Sequence, residues 1–116
     1  MSKINIKISI LNNETNNTLE TLGIKDDNKI KYKEKDGTLT IIDLDNYELI
    51  RDNNELRMNY IFKENEGTTG TITIKEYNKN IDVVIKTNKV ELNNNNISIE
   101  YEIENNKFIY RLEEIK

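Results

Sequence analysis

The stretch from residue 30 to residue 43 constrains this chain most, because two alternating runs of apolar and polar residues meet there at Asp36-Gly37. An Asp-Gly pair in that setting indicates a two-residue hairpin, since both central residues of a type I′ turn need positive φ. The turn predicts that Tyr32 lies opposite Ile41. One face of the hairpin would then carry Ile30, Tyr32, Glu34, Leu39 and Ile41, and the other Lys31, Lys33, Thr38 and Thr40.

The same pattern recurs along the chain. Residues 3–11 alternate strictly and predict a half-buried strand with four inward isoleucines. A further strand follows, with a bulge expected near Gly23. Asparagine-rich loops are expected at 12–17 and 93–96. Turns at Asn53-Asn54, Asn78-Lys79 and Asn105-Asn106 predict three more hairpins, with Arg51 opposite Leu56, Tyr47 opposite Tyr60, Ile74 opposite Val83 and Tyr101 opposite Tyr110.

The number of strands and the shortness of the loops predict the fold class. We expect nine to eleven strands, and no segment has helical period over the length of a helix. The chain contains no alanine, and twenty asparagines supply turn positions. An open meander of this length would leave unpaired edges and one face without cover. The sequence therefore predicts one all-β domain over residues 1–116, an antiparallel meander closed into a barrel.

Composition argues against several functional classes. The net charge of −4, from 17 basic and 21 acidic residues, disfavours nucleic acid as a partner. Histidine and cysteine are both absent, which removes the usual general base near neutral pH and the thiol nucleophile. We therefore expect no enzyme activity, no cofactor and no metal. The stretch Asp43-x-Asp45-x-Tyr47 has the spacing of half a calcium loop but lacks its glycine and terminal glutamate.

Hydropathy argues against a membrane location. No apolar run approaches the roughly 18 residues of a membrane helix. The first residues, Met-Ser-Lys-Ile-Asn-Ile-Lys, alternate and contain no apolar core of a secretory signal. A soluble cytoplasmic protein is the expectation.

Several strand segments carry a resemblance to a known family. They are Tyr32-Lys33-Glu34, Leu49-Ile50-Arg51 followed by Met58-Asn59-Tyr60-Ile61-Phe62, Val83-Val84-Ile85-Lys86-Thr87, and Ile97-Ser98-Ile99-Glu100-Tyr101-Glu102-Ile103. In this order they resemble the YwiB-like family of small bacterial proteins of unknown function. The resemblance spans nearly the whole chain and implies a calycin-type, lipocalin-like β-barrel. It implies no activity.

The inward face of the predicted barrel holds the candidate site. Alternation turns five of the six tyrosines inward, together with Arg51, Glu34 and Thr87. In one interpretation the charged groups lie near strand ends and reach solvent at the rim. In the other, an arginine and tyrosines receive an anionic or polar head group, as in lipocalin-like and fatty-acid-binding barrels. The predicted ligand-binding residues are Arg51, Glu34, Tyr32, Tyr47, Tyr60 and Tyr101.

Two functions remain open from the sequence. The first is a small cytoplasmic barrel that binds a hydrophobic or amphiphilic small molecule, with Arg51 near its polar end. The second is a barrel filled by its own side chains that acts through its surface, as a protein-interaction or homodimer module. Barrels of about eight strands are often filled by side chains alone, and the many inward isoleucines and tyrosines favour filling.

Overall fold

A single closed barrel of antiparallel strands makes up the structure, a computed structural model that describes residues 2–13, 15–93 and 96–115. Each of the ten strands in this part of the chain pairs with its sequence neighbours, and the first pairs with the last. The strands are β1 (Ser2–Asn12), β2 (Asn16–Asp26), β3 (Lys29–Lys33), β4 (Leu39–Asp43), β5 (Glu48–Asp52), β6 (Leu56–Ile61), β7 (Gly67–Ile74), β8 (Lys79–Asn93), β9 (Asn96–Ile103) and β10 (Asn106–Glu114).

This architecture confirms the predicted all-β meander barrel. The loops expected at 12–17 and 93–96 include Glu14, Asn94 and Asn95, which lie outside the described residues. No helix long and apolar enough to cross a membrane occurs in the ranges that the structure describes.

Strand β1 shows how alternation builds the wall of the barrel. Ile4, Ile6 and Ile8 are buried, whereas Lys3 and Asn5, which alternate with them, are exposed. Side chains of a strand point alternately to its two faces, so this sequence can bury one face only. The strand confirms the prediction for residues 3–11.

The interior of the barrel is filled by side chains. Buried hydrophobic residues come from nearly every strand and form one cluster. Burying this much apolar surface is the main favourable term in folding. The cluster consists of Ile4, Ile6, Ile8, Ile30, Tyr32, Ile42, Leu49, Tyr60, Phe62, Ile85, Ile97, Ile99, Tyr101, Tyr110 and Leu112.

The β3–β4 hairpin differs from the prediction by one residue. Tyr32 lies opposite Thr40, and Glu34 N–H donates to the Thr38 carbonyl, so the loop has three residues. The Asp36 carboxylate accepts the Thr38 N–H at 2.9 Å, and Gly37 has φ of +89°. This combination is typical of a three-residue loop with a left-handed last residue, not of a type I′ turn.

The slip of one residue exchanges the two faces of β4. Thr38, Thr40 and Ile42 point into the barrel and are buried, whereas Leu39 and Ile41 are only half-buried on the other face. The prediction that Leu39 and Ile41 point inward was therefore wrong. The correction matters for function because it places a hydroxyl, that of Thr40, beside Glu34.

The other three predicted registers were wrong by even numbers of residues, so the predicted faces remain correct. Arg51 lies opposite Met58, Ile72 opposite Ile81, and Tyr101 opposite Phe108. The Asn53 side chain explains the first shift. Its Oδ1 accepts backbone N–H groups at 2.8 and 2.9 Å, and it therefore closes the turn instead of lying inside it.

Tyr47 was predicted to point inward, and this prediction was wrong. It lies in the β4–β5 turn with φ of +53° and is 47% exposed, one residue before β5 begins. The Asp43 carboxylate fixes this turn by accepting the backbone N–H groups of Asp45 and Asn46 and the Asn46 side-chain amide. Because the turn occupies residues 44–47, alternation does not extend back to Tyr47.

Irregular pairing lies in β8 and not at Gly23. The β1–β2 register runs unbroken past Gly23, so the bulge predicted there was wrong. The β8–β9 register shifts between Thr87 and Lys89 instead. Thr87 before the shift and Val90 after it both point inward, although they are three residues apart. The extra residue of the bulge reverses the alternation of faces along the strand.

Candidate functional site

A cleft opens at the hairpin end of the barrel, the end where the odd-numbered strands finish. Strand β2 pairs with β3 only through Ile24–Asp26, so its first half, residues 16–23, diverges from the β3–β4 hairpin. The cleft between them has a volume of about 440 Å³. Its lining residues are Ile8, Ile10, Asn17, Thr18, Leu19, Tyr32, Glu34, Lys35, Asp36 and Arg51.

An ion pair between Arg51 and Glu34 lies in this cleft. Arg51 Nε donates to Glu34 Oε2 at 2.9 Å, and Nη2 donates to Oε1 at 2.7 Å. Thr40 Oγ1 donates to the same Oε2 at 2.8 Å. The two side chains are 33% and 18% exposed. A planar guanidinium that meets a carboxylate through two parallel bonds is held in a fixed orientation.

The pairing of the strands explains why these groups meet. Glu34 follows the last residue of β3, Thr40 is in β4, and Arg51 is directly opposite Thr40 in β5. Burial by itself lowers the pKa of Arg51, but the hydrogen bonds and charge of Glu34 outweigh it and the pKa rises. The guanidinium therefore stays charged at every physiological pH.

Tyr32 forms the inner wall of the cleft and is bonded across the interior. Its hydroxyl lies 2.6 Å from that of Tyr110 in β10. Burial raises the pKa of Tyr32 to about 12 and raises the pKa of Tyr110 well above its ordinary value. Both phenols are neutral at physiological pH and can each donate one hydrogen bond and accept others.

Tyr60 and Tyr101 do not line the cleft but lie behind it, in an aromatic cluster. Their rings are 6.2 Å apart in an edge-on arrangement, Tyr101 lies 5.0 Å from Phe62, and it stacks on Phe108 at 5.2 Å. Burial raises the pKa of both tyrosines, while the charge of Arg51 acts in the opposite direction. These two residues belong to the core, and their recorded link to the site is the electrostatic effect of Arg51 on their hydroxyl groups.

The structure thus brings together only part of the predicted set. Arg51, Glu34 and Tyr32 meet at the cleft, Tyr60 and Tyr101 pack behind it, and Tyr47 lies elsewhere. Tyr47 lines a different cleft, near residues 62–66. It contributes nothing to the hairpin end.

Sequence reasoning missed the other wall of the cleft. Ile8 and Ile10 were assigned to the core by alternation, and Ile8 is buried, but where β2 diverges both line the cleft beside Leu19 and Ile10 is partly exposed. Asn17 was assigned to a loop, and Thr18 was given no role. Alternation carries no information about where two paired strands separate, so no sequence signal marked this wall.

Among the described residues, no group of three or more Asp, Glu, His or Cys side chains that could hold a metal ion comes together. The Asp43-x-Asp45 stretch has a structural explanation. Burial acts to raise the pKa of Asp43, but hydrogen bonds from Asn46 and Asp45 hold it below its usual value. Its carboxylate therefore accepts hydrogen bonds within the β4–β5 turn and stabilises that turn.

Thr87 points inward as predicted and is fully buried. Its Oγ1 has no hydrogen-bond partner among the described residues. Its backbone is fixed, since its N–H donates to Glu66 and its carbonyl accepts from Asn65.

One solved structure is similar to this barrel over nearly its full length. It is the crystal structure of the YwiB protein from Bacillus subtilis, with a TM-score of 0.54 and 16% sequence identity. The match covers 98% of this chain and 91% of that chain. No family model and no curated protein matches the sequence. At this identity the similarity supports the YwiB-like fold expected from the sequence, and it carries no information on function.

Proposed function

We propose that this protein is a small cytoplasmic binding barrel that holds an amphiphilic small molecule in the hairpin-end cleft. The observation that carries the proposal is the guanidinium of Arg51, which is fixed by Glu34 at the inner side of a cleft of about 440 Å³. Ligand sites in proteins are typically clefts of about 300–1,000 Å³ with a few fixed polar groups. The proposed activity is binding without a chemical step.

The guanidinium retains donors for a ligand. Arg51 has five N–H groups, and Glu34 takes one from Nε and one from Nη2. Those on Nη1 and the second on Nη2 have no hydrogen-bond partner among the described residues and can donate to an acceptor oxygen of a ligand. Glu34 has already fixed the plane of the guanidinium. Binding of a ligand therefore costs less side-chain entropy of Arg51 than it would if the arginine were free.

Charge balance indicates the kind of head group. The cleft contains two cations, Arg51 and Lys35, and two anions, Glu34 and Asp36. Their formal charges cancel, so the site has no net charge to attract a multiply charged anion. A head group with one carboxylate or a few neutral oxygens fits these donors and acceptors best.

The apolar wall indicates the rest of the ligand. Ile8, Ile10 and Leu19 face the cleft from β1 and β2. A short hydrocarbon chain laid on the partly exposed Ile10 and Leu19 would remove apolar surface from water on both molecules, at about 25 cal/mol per Å². The barrel interior is filled, so the chain must lie in the mouth and not run down the axis as in a hollow barrel.

Titration with a fluorescent fatty-acid analogue tests this function. We expect saturable binding by the wild type, and at least a tenfold weaker affinity for Arg51→Met, because a charge-assisted hydrogen bond contributes about 1.5–3 kcal/mol. Arg57→Met is the matched control, since Arg57 is also an ion-paired strand arginine but lies outside the cleft. Circular dichroism establishes that each variant is folded.

Competition by unlabelled molecules tests which head groups the cleft accepts. A medium-chain carboxylate and the neutral monoglyceride of the same chain should both displace the probe. Equal probe affinity in the wild type and Arg51→Met would show that Arg51 does not contribute to binding. Absence of probe binding by the wild type would contradict the proposal.

A second candidate function is favoured by the filled interior. Fifteen hydrophobic residues are buried in one cluster of the described chain, which leaves the surface as the other place where the protein can act. In this alternative the barrel is an interaction or homodimer module. Wild-type protein that binds no amphiphile but forms a defined complex or dimer would favour it.

A further inference from the structure

The first half of β8 has a neighbouring strand on one side only. It pairs with β7 from Lys79 to Lys86. Pairing with β9 begins only at Lys86, opposite Glu102, and β9 ends one residue later at Ile103. The β7–β8 hairpin therefore extends past the end of β9. Residues 79–85 therefore form a strand edge, as residues 16–23 of β2 do on the side that faces the cleft.

Backbone geometry shows which groups face this open side. Thr87 donates and accepts backbone hydrogen bonds with residues 65 and 66, on the β7 side. In an antiparallel strand, successive residues direct their N–H and C=O groups to alternate sides. Asn80, Asp82 and Val84 therefore direct theirs away from β7. Asn80 and Asp82 therefore each offer an N–H and a C=O group to a further strand.

Side chains on this segment are unusually apolar for an exposed edge. Val84 is 71% exposed and Ile81 is 38% exposed, and Tyr77 in the adjoining turn is 71% exposed. Residues 81–85 read Ile-Asp-Val-Val-Ile, which favours strands. Edge strands of this kind readily pair with another chain unless charged residues or proline protect them.

We propose that the β8 edge binds a second copy of this chain, by antiparallel pairing of residues 79–83 around a two-fold axis at Ile81. In this arrangement Asn80 of each copy lies opposite Asp82 of the other, and the two Ile81 side chains meet. The axis generates both halves of the interface from one segment, as a closed dimer requires. The proposal does not depend on ligand binding, because the β8 edge is separate from the hairpin-end cleft.

Charge and sterics select this register from its neighbours. A shift that places Asp82 opposite Asp82 would bring two carboxylates together, which is destabilising. In the proposed register the Asn80 amide can donate to the carboxylate of Asp82 instead, since its Oδ1 already accepts from Thr73. A larger shift would overlap Lys86, which is already paired with Glu102, and would bring the second copy against β9.

Sedimentation equilibrium over a wide range of protein concentration tests whether the dimer forms. We expect a monomer–dimer equilibrium that shifts toward monomer on dilution, since the shared strand segment is short. Asp82→Pro should abolish the dimer, because it removes an outward N–H and leaves the β7 ladder intact. Asp82→Asn is the matched control, and it should dimerise because it retains the backbone N–H.

A cysteine substitution tests the register directly. The chain contains no cysteine, so a disulfide in a single-cysteine variant joins two copies. Ile81→Cys should form a disulfide-linked dimer on mild oxidation, since residues opposite each other in a pair without backbone hydrogen bonds lie about 4.5 Å apart. Lys31→Cys, on the outward face of β3, should not. This readout does not depend on how Asp82→Pro folds.

The outcomes divide clearly. Wild-type protein that stays monomeric at all concentrations, with Ile81→Cys no faster to cross-link than Lys31→Cys, overturns the proposal. A dimer that survives Asp82→Pro in a folded variant also overturns it. Faster cross-linking at Val83→Cys than at Ile81→Cys contradicts the register. Loss of amphiphile binding without loss of the dimer affects only the proposed ligand function.

Discussion

The hydroxyl oxygens of Tyr32 and Tyr110 lie 2.6 Å apart inside the barrel, although 78 residues separate them in the chain. Tyr32 is in β3 and Tyr110 is in β10, so the bond joins strands that are not neighbours in the sheet. A buried phenol requires a partner for its hydroxyl, and each of these phenols provides one for the other. The pair connects the candidate ligand cleft to the opposite end of the chain.

The first prediction concerns alkaline pH. Burial raises the pKa of Tyr32 to about 12 and also raises that of Tyr110. Above about pH 10 the unfolded chain loses these protons while the folded chain keeps them, so stability should fall as the pH rises from about 10 to 12. Urea unfolding at several alkaline pH values measures this. Tyr32→Phe, which has no proton to lose at that position, should show a shallower fall.

Tyrosinate absorbance provides an independent check of the same prediction. At about pH 11 the folded protein should contain clearly less tyrosinate than the same chain in concentrated urea. Equal absorbance in the two states would contradict the buried, hydrogen-bonded pair.

The second prediction concerns the ion pair of Arg51 and Glu34. Arg51→Met should destabilise the fold by about 1–3 kcal/mol, because it leaves a half-buried carboxylate without its counter-charge. The double variant Arg51→Met, Glu34→Gln should be more stable than Arg51→Met alone, since no unpaired charge remains. Chemical denaturation of the wild type, Arg51→Met, Glu34→Gln and the double variant gives the coupling free energy between the two residues. A coupling near zero would show that the pair behaves like an exposed surface bridge.

The third prediction concerns the β3–β4 loop. Gly37→Val should cost about 1 kcal/mol or more, since a β-branched residue does not easily adopt the φ of +89° found there. The cost comes from the backbone alone, because a Cβ at this position would meet no atom within 4 Å. Gly37→Asn should therefore cost less than Gly37→Val, since asparagine tolerates left-handed conformations. Equal denaturation midpoints for the two variants would contradict this explanation.

The fourth prediction compares two glycines of the same strand. A Cβ on Gly70 would lie 2.8 Å from both Ile85 Cδ1 and Tyr60 Cδ1 and 3.0 Å from the Asn59 carbonyl oxygen. Gly70→Ala should destabilise by about 1–3 kcal/mol, the usual cost of overpacking a core. Gly67→Ala is the control, since its Cβ would only reach 4.0 Å from a backbone oxygen. The midpoint of thermal unfolding should be clearly lower for Gly70→Ala than for Gly67→Ala.

The fifth prediction concerns acid pH and the β4–β5 turn. Burial would raise the pKa of Asp43, but the hydrogen bonds from Asn46 and Asp45 lower it below its usual value. A depressed carboxyl pKa stabilises the fold above about pH 4, and this stabilisation is lost as the pH falls through the folded-state pKa. Asp43→Asn should therefore lose less stability between neutral and acid pH than the wild type. If urea unfolding gave the wild type and Asp43→Asn the same loss of unfolding free energy from neutral to acid pH, this assignment would be wrong.

Alternation predicted the strands well and their pairing less well. Ile4, Ile6 and Ile8 are buried as expected, because burying one face of a strand requires only local sequence. Pairing depends on the turn, and specific side-chain contacts close the β3–β4 and β5–β6 turns. Asp36 bonds the N–H of Thr38, and Asn53 bonds those of Glu55 and Leu56. The predicted and observed turns differ in length by one or two residues and by only a few hydrogen bonds. The sequence pattern does not show which of the two is more stable.

The candidate site shows the same division. Tyr32 and Arg51 could be assigned to the inward face from their spacing, and so could Glu34. That Thr40 bonds Glu34 follows from a three-residue loop that slips β4 by one position. Tyr47 was assigned wrongly because alternation was extended into a turn that Asp43 fixes. Each error lies where hydrogen bonds to the backbone override the hydrophobic period.

By itself the sequence determined that this chain forms short antiparallel strands, joined in order, with one apolar face to bury in a barrel. Only the tertiary structure decided where neighbouring strands stop pairing. The separation of β2 from β3 opens the candidate cleft, and the end of β9 leaves the β8 edge open. These features depend on the lengths of hairpins that are far apart in the chain and meet only when the barrel closes. Periodicity within a single strand carries no information about them, because it records which face is buried and not which neighbour lies beside it.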